Sequence, residues 1–207
     1  MAYTDFTLAS IEQKFGVKNQ QRTLFAPLPP LPLSADLQKA LARARELPVR
    51  SEKAKSELIV IPILLEIRDL TDRFFTIYSG DNLSADEEAG LKGECDFILA
   101  KDTGTFDINY PILQIVEAKR NDLEVGIPQC AAQLVGARIF NKRKGITPEF
   151  LYGCVTTGDE WVFMRLADNE LVIDTRKYYL VEIGELLALF VSIIDQYRTE
   201  LVGDADR

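Results

Sequence analysis

Two apolar runs that carry charged residues constrain the fold of this chain more than any other feature. The first run, 93–99, contains Asp96, and the second run, 111–120, contains Glu117 and Lys119. Each run has the length and the apolar content of a buried strand. Because it is costly to bury a charge without a partner, we expect these three side chains to lie together. A divalent metal ion beside a phosphate group would explain why they are there.

The alternation of side chains along a strand makes this expectation specific. Glu117 and Lys119 are two residues apart and therefore project from the same face of their strand. If the two strands pair, Asp96 meets Glu117 across the pair, with about 5 Å between the Cβ atoms. Two carboxylates at this distance either repel each other or bind a cation. Oxygen ligands without His or Cys favour Mg²⁺ or Mn²⁺.

Composition narrows the chemistry. The 207 residues contain no His, which excludes Ser-His-Asp and Cys-His hydrolases and the usual His-based metal sites. Acid–base chemistry would fall to carboxylates, Lys, Tyr or metal-bound water. The net charge of −8 has the wrong sign for a protein that coats nucleic acid. Contact with nucleic acid would therefore be local, weak, or assisted by metal or by a partner.

The cysteines and the apolar segments suggest a cellular location. Cys95, Cys130 and Cys154 are an odd number of cysteines in apolar sequence without metal-ligand spacing, which indicates reduced thiols in the cytoplasm. The chain starts without the order of basic and apolar residues that marks a signal peptide. No apolar run reaches membrane length. We therefore expect a cytoplasmic protein without a membrane partner.

The periodicity of apolar residues predicts a mixed α/β protein. Helices are predicted over 7–15, 34–46, 51–71, 127–143 and 182–201, and strands over 73–78, 93–100, 111–119, 150–156, 160–166 and 170–174. Pro62 is expected to kink or restart the third helix, and Pro128 is expected in the first turn of the fourth. This order of elements favours a mixed central sheet with helices on both faces.

The first 50 residues have the composition of an extension to this core. Two short helices are predicted there, and a proline-rich segment, 26–33, joins them in an extended conformation. We therefore divide the chain into an N-terminal helical and proline-rich extension, 1–50, and a core, 51–207.

Three further residues are candidates for the same site. Glu57 lines up on its helix with Val60 and Leu64, a stripe that should face inward, although a glutamate at a helix start is also favoured by the helix dipole alone. Gln129 and Gln133 are four residues apart and share a helix face. Their helix follows the Lys119 strand directly, so it should begin near the end of that strand.

This succession of a helix glutamate, a strand aspartate, Glu-x-Lys on the next strand and a glutamine-bearing helix resembles the PD-(D/E)XK nuclease superfamily. It is most similar to the nuclease domain of type I restriction motor subunits and to small stand-alone relatives. The matching segments are 93–97, 115–120, 129–133 and 156–163. The resemblance covers about residues 51–200 and implies a restriction-endonuclease-like fold.

The resemblance also implies roles for the candidate residues. Asp96 and Glu117 would bind metal, Glu57 would complete the metal shell, and Lys119 would position or activate the attacking water. One of Gln129 and Gln133 would orient the substrate or the lysine. The position of the helix glutamate also fits Glu66, and the spacing does not choose between Glu57 and Glu66.

The leading functional hypothesis is a Mg²⁺-dependent nuclease that hydrolyses phosphodiester bonds in DNA, of the restriction, defence or repair type. The main alternative is a binding or scaffold subunit that kept the nuclease fold and cleaves weakly or not at all. A third hypothesis is a subunit of a larger complex whose protein partner supplies the affinity for DNA. The sequence leaves open a homodimer and the choice between DNA and RNA. Without a metal, the three charges would form a strand-end salt bridge.

Overall fold

The computed structural model describes residues 1–105 and 107–203, so positions 204–207 of the predicted core lie outside the described part of the chain. The helices are Leu8–Phe15 (α1), Ala35–Arg45 (α2), Glu52–Lys55 (α3), Ile61–Leu70 (α4), Leu123–Arg143 (α5) and Ile183–Gly203 (α6). The strands are Lys18–Arg22 (β1), Phe75–Asn82 (β2), Glu94–Lys101 (β3), Ile112–Ala118 (β4), Leu151–Thr156 (β5), Glu160–Ala167 (β6) and Glu170–Tyr179 (β7). Short 3-10 turns cover Tyr3–Asp5 and Leu180–Glu182.

The strands form one seven-stranded mixed sheet in the order β1-β7-β6-β5-β4-β3-β2. Strand β1 is parallel to β7 and β4 is parallel to β5, whereas the other neighbours are antiparallel. Helices cover both faces of this sheet. The predicted α/β class, a mixed central sheet flanked by helices, is therefore confirmed.

Two apolar clusters fill the space between the sheet and the helices, one on each face. Ile98 and Ile115 belong to the cluster that contains α5. Their neighbours Phe97 and Val116 belong to the cluster that contains α4 and α6. This distribution follows from the alternation of side chains in a strand that is buried on both faces. It places the face of Ile98 and Ile115 against α5.

The first 50 residues pack onto this core. Tyr3, Phe6 and Ile11 are buried in the α5 cluster, and Leu37 and Leu41 of α2 are buried in the cluster on the other face. Strand β1 adds to the edge of the sheet beside β7. The segment predicted as an extension therefore contributes to the sheet and to both apolar clusters.

Local capping explains why the first two predicted helices form where they do. Thr7 Oγ1 accepts a hydrogen bond from Ser10 N at 3.1 Å at the start of α1, and Gly16 ends that helix with a φ of 69°, which glycine adopts at little cost. Ser34 Oγ accepts from Leu37 N at 3.1 Å at the start of α2. Both predicted helices are confirmed, and Ser34 caps the second.

The third predicted helix is continuous but not uniform. Between α3 and α4, Ser56–Val60 form a π-helical turn, in which Ile61 N donates to Ser56 O. Pro62 follows directly in the sequence. A π-helical turn inserts one extra residue into the turn, so residues before and after it no longer share the face expected for a regular α-helix. The predicted irregularity near Pro62 is confirmed.

The start of α5 differs from the prediction. The helix begins at Leu123 rather than at 127, because Asp122 caps it through a hydrogen bond from Glu124 N to Asp122 Oδ1 of 2.8 Å. Pro128 therefore lies inside the helix and not in its first turn. The prediction took the proline as the start signal and missed the capping aspartate.

Two strands also have bounds that differ from the sequence expectation. Strand β2 begins at Phe75 rather than 73 and continues to Asn82 rather than 78. Its start follows Asp72 and Arg73, which adopt φ values of 52° and 57° that a strand does not allow. Strand β7 continues to Tyr179 rather than 174. Its register with β6 shifts between Val162 and Met164.

A buried asparagine ties α5 to β4 and gives a prediction for stability. Asn141 Oδ1 accepts from Ile112 N at 2.7 Å, and Asn141 Nδ2 donates to Ile112 O at 2.8 Å. Asn141→Ala leaves both buried backbone groups without these partners, so we expect it to lower the free energy of unfolding by about 2–4 kcal/mol. Urea denaturation measures this, with exposed Asn19→Ala as the control. Equal stability of the two variants would contradict it.

Across the described residues, no helix is both long enough and apolar enough to span a bilayer.

Candidate active site

The pairing of β3 with β4 brings the two predicted strand carboxylates together. Phe97 pairs with Val116 and Ile98 pairs with Ile115, so the next position outward sets Asp96 opposite Glu117. The charge of Asp96 contributes to the pKa of Glu117, which agrees with this closeness. The prediction that Asp96 and Glu117 meet across paired strands is therefore confirmed.

Glu117 is the centre of a buried hydrogen-bond network. Lys119 Nζ donates to Glu117 Oε1 at 2.7 Å, and Gln129 Nε2 donates to the same oxygen. Gln133 Nε2 donates to Glu117 Oε2 at 2.9 Å. The Glu117 side chain is 2% exposed and the Lys119 side chain 14%. The two glutamines predicted to share a face thus hold one carboxylate between them, and both of its oxygens accept hydrogen bonds.

The electrostatics of this network favour a cation beside Glu117. Burial, and secondly the Asp96 carboxylate, raise the pKa of Glu117 to about 7, although Lys119 and Gln133 act in the opposite direction. Burial by itself lowers the pKa of Lys119, but the Glu117 carboxylate, together with Asp96 and Glu52, outweighs it and the pKa is raised. Lys119 is therefore cationic at neutral pH. A further positive charge near Glu117 and Asp96 would stabilise the ionised form of Glu117.

Asp96 also has a structural role. Its Oδ2 accepts a hydrogen bond of 2.7 Å from Ala118 N, beyond Phe97 and Val116, the last paired residues of β3 and β4. The Asp96 side chain thus replaces the backbone carbonyl that would accept from Ala118 N if the strand pairing continued. Its Oδ1 accepts no hydrogen bond from the described residues, and the side chain is partly exposed. One oxygen of Asp96 therefore remains for a ligand.

Neither predicted helix glutamate reaches this network. The Glu57 side chain is 61% exposed and pairs with Lys53 at 3.8 Å, so its predicted inward orientation is wrong. The physical reason is the π-helical turn Ser56–Val60, which rotates Glu57 away from the stripe of Val60 and Leu64. Glu66 accepts from Ser34 N at 2.8 Å and from Ser34 Oγ at 2.6 Å, so it holds the start of α2.

Glu52 is the helix carboxylate that comes near the site, and the sequence analysis missed it. Glu52 Oε1 accepts from Arg120 N at 2.9 Å, one residue beyond Lys119, and its charge contributes to the raised pKa of Lys119. Lys55 Nζ donates to Arg120 O at 2.6 Å. Helix α3 therefore binds both the backbone N–H and the backbone carbonyl of Arg120, which follows Lys119. The only sequence feature that could have indicated Glu52 is its position directly after Ser51, which caps the helix.

Helix α5 packs closely against the stem of Lys119 at Gly126. A Cβ atom at Gly126 would lie 2.5 Å from Val155 Cγ1 and 3.0 Å from Lys119 Cγ, which is closer than packed carbon atoms approach. Glycine at this position therefore lets the helix contact Lys119 and β5 together. This contact was not predicted.

The donor set fits a magnesium-type site in part. No cluster of three His, Cys, Asp or Glu side chains suited to a metal ion occurs among the described residues. Asp96 and Glu117 supply two neighbouring carboxylates. Mg²⁺ commonly takes one or two carboxylates, keeps several waters and binds substrate phosphate. Two carboxylates therefore suffice for such an ion when a phosphate completes the shell.

Two surface cavities come close to this site without containing it. One, of about 490 Å³, is lined by Lys55, and the other, of about 620 Å³, is lined by Asn121 and Asp122. Neither is lined by Asp96 or Glu117. The accessible part of the site is therefore the partly exposed surface of Asp96 and Lys119.

The sequence has one basic cluster near the end of α5, formed by Arg138, Lys142, Arg143 and Lys144, and three of these side chains contact other parts of the protein. Arg138 donates to Asp168 O and Arg143 donates to Ala85 O. Lys144 Nζ lies 5.3 Å from the ring centroid of Tyr110 and 5.7 Å from that of Phe140. These contacts favour a helix end stabilised by cations over a surface held ready for phosphate.

Comparison with known proteins adds no identification to this geometry. No protein-family model matches the sequence, and a search of curated proteins found no match. The resemblance to the PD-(D/E)XK superfamily therefore stays a prediction that is supported by the residues and their arrangement alone.

Proposed function

We propose that this chain is a divalent-cation-dependent nuclease with a restriction-endonuclease-like fold, which hydrolyses phosphodiester bonds in DNA in the cytoplasm. The observation that supports this most is the position of Asp96 opposite Glu117, with Lys119 bonded to Glu117 on the same strand face. A buried carboxylate next to a second carboxylate is costly without a cation. A lysine beside them provides the positive charge that phosphoryl chemistry requires.

In this proposal each side chain of the site has a distinct task. Asp96 and Glu117 would hold Mg²⁺ or Mn²⁺, which lowers the pKa of a bound water and stabilises negative charge on a phosphate. Lys119 would place its ammonium beside the attacking water or the developing negative charge. Gln129 and Gln133 would fix the orientation of the Glu117 carboxylate through the hydrogen bonds described above.

A binding or scaffold subunit is the second candidate, and one observation favours it. Both oxygens of Glu117 already accept hydrogen bonds from protein groups, so a cation has to compete for this carboxylate. The net charge of −8 also implies that affinity for nucleic acid depends on a partner protein or on a second copy of the chain.

The experiment that separates these functions is a cleavage assay with matched aspartate variants. The protein is incubated with single- and double-stranded DNA and RNA in Mg²⁺ or Mn²⁺, beside Asp96→Asn and the exposed control Asp69→Asn. Asp96→Asn keeps an oxygen that can accept from Ala118 N, so the fold should persist. We expect this variant to cleave at least about 100-fold more slowly and the control to cleave normally. No cleavage and no calorimetric cation binding by the wild type would favour the scaffold.

A further inference from the structure

Two buried polar atoms near the site have no hydrogen-bond partner among the described residues, and they are complementary. One is the hydroxyl of Tyr3, a residue that is 1% exposed. The other is Oε1 of Gln133, which is 0% exposed. A buried polar group without a partner costs about 1–3 kcal/mol. One atom can donate a hydrogen bond and the other can only accept one.

The Tyr3 hydroxyl is suited to the role of donor. Burial, with a smaller contribution from Cys95, raises the pKa of Tyr3 above its ordinary value, so the hydroxyl keeps its proton across the physiological range. Tyr3 is fixed at its backbone and packed at the hydroxyl end of its side chain. Tyr3 N donates to Lys92 O at 3.2 Å, and a Cβ atom at Gly136 would collide with Tyr3 Oη.

The same contacts bring Tyr3 to the environment of Gln133. Gly136 follows Gln133 by one turn of α5, and Gly93, which packs against the Tyr3 ring, precedes Glu94. Gln133 Nε2 lies 3.5 Å from Glu94 O and 2.9 Å from Glu117 Oε2. Tyr3 and Gln133 thus both lie against the segment 93–94 at the start of β3, and Tyr3 packs against α5 one turn beyond Gln133.

We propose that Tyr3 is a positioning residue of the site, whose hydroxyl donates to Gln133 Oε1 through one bridging water molecule and so fixes the amide of Gln133. The amide has two ends, and only its nitrogen can donate to Glu117. With Oε1 held by Tyr3, the nitrogen faces the carboxylate. In a flipped amide an oxygen would face Glu117, which is repulsive. The functional role of this contact rests on the proposed function, because it acts on the same carboxylate.

The direct test observes Gln133 without cation or substrate. In ¹⁵N-labelled protein, the side-chain NH₂ signals of Gln133 are assigned by their loss in Gln133→Leu. We expect Tyr3→Phe to shift these signals and to make their hydrogen exchange about tenfold faster, the change expected for one lost buried hydrogen bond. The exposed Tyr110→Phe serves as the control and should leave them unchanged. Unchanged Gln133 signals and exchange in Tyr3→Phe would overturn the inference.

A second measurement separates this inference from the proposed function. We expect Tyr3→Phe to weaken Mn²⁺ binding about threefold to tenfold in the wild-type background and to have no further effect in Gln133→Leu. Equal weakening in both backgrounds would contradict an action through Gln133. If the Gln133 signals respond to Tyr3→Phe but no variant binds Mn²⁺, the positioning contact stands and the proposed function fails.

Discussion

Lys119→Met is expected to destabilise the protein by about 2 kcal/mol at pH 8, because it removes the cationic partner of the buried Glu117 carboxylate and so raises the pKa of that carboxyl further. At pH 5.5 the loss should fall to about 1 kcal/mol. The pKa of Glu117 is already about 7 in the presence of Lys119, so at pH 5.5 the carboxyl is mostly protonated and no charge is left unpaired. Urea denaturation at the two pH values measures the difference.

The control for this variant is Lys53→Met, whose side chain is 83% exposed in a surface ion pair with Glu57. A surface pair of this kind contributes about 0–1 kcal/mol, so we expect no large loss at either pH. If Lys119→Met lost the same stability at pH 5.5 and at pH 8, the loss would come from packing and not from the unpaired charge.

The stability of the cation-free wild type should fall with rising pH in comparison with Glu117→Gln. The pKa of the Glu117 carboxyl is 4.5 in its ordinary state and about 7 in the folded protein. Between these values the folded state binds more protons than the unfolded state, so the free energy of unfolding decreases as pH rises. From pH 5 to pH 8 this amounts to about 2–3 kcal/mol, and it levels off above pH 8.

Glu117→Gln removes the titrating group. The informative quantity is therefore how the difference in free energy of unfolding between this variant and the wild type changes with pH. Any constant effect of the amide on Lys119 cancels in that change. Chemical denaturation in a chelating buffer at pH 5, 6, 7 and 8 gives the comparison. A difference between the two proteins that stays constant over this range would show that burial does not raise the pKa of Glu117.

The part of the site that the sequence predicted rests on local periodicity. Asp96 and Glu117 meet because side chains alternate along β3 and β4 and because the two strands pair. Gln129 and Gln133 meet Glu117 because they are four residues apart on α5. To predict these contacts it is enough to know whether each segment is a helix or a strand and which strands pair. Both could be inferred from the apolar runs.

The part that could not be predicted depends on irregular or distant geometry. The π-helical turn Ser56–Val60 turns Glu57 outward and leaves Glu52 near the site. Pro62 predicted an irregularity in this helix but not its form, and so not the direction in which Glu57 points. Strand β1 is exposed at every position and therefore has no apolar alternation, although it pairs with β7 about 150 residues later. Tyr3 enters the core beside α5 through contacts that are equally distant in sequence.

The proposed function requires that Asp96 and Glu117 together hold one divalent cation, which calorimetric titration of Mn²⁺ and Mg²⁺ measures. We expect one cation per chain for the wild type and for the control Asp69→Asn, and at least about tenfold weaker binding for both Asp96→Asn and Glu117→Gln. Equal affinity in all four proteins, or no binding by the wild type at millimolar cation, would contradict it.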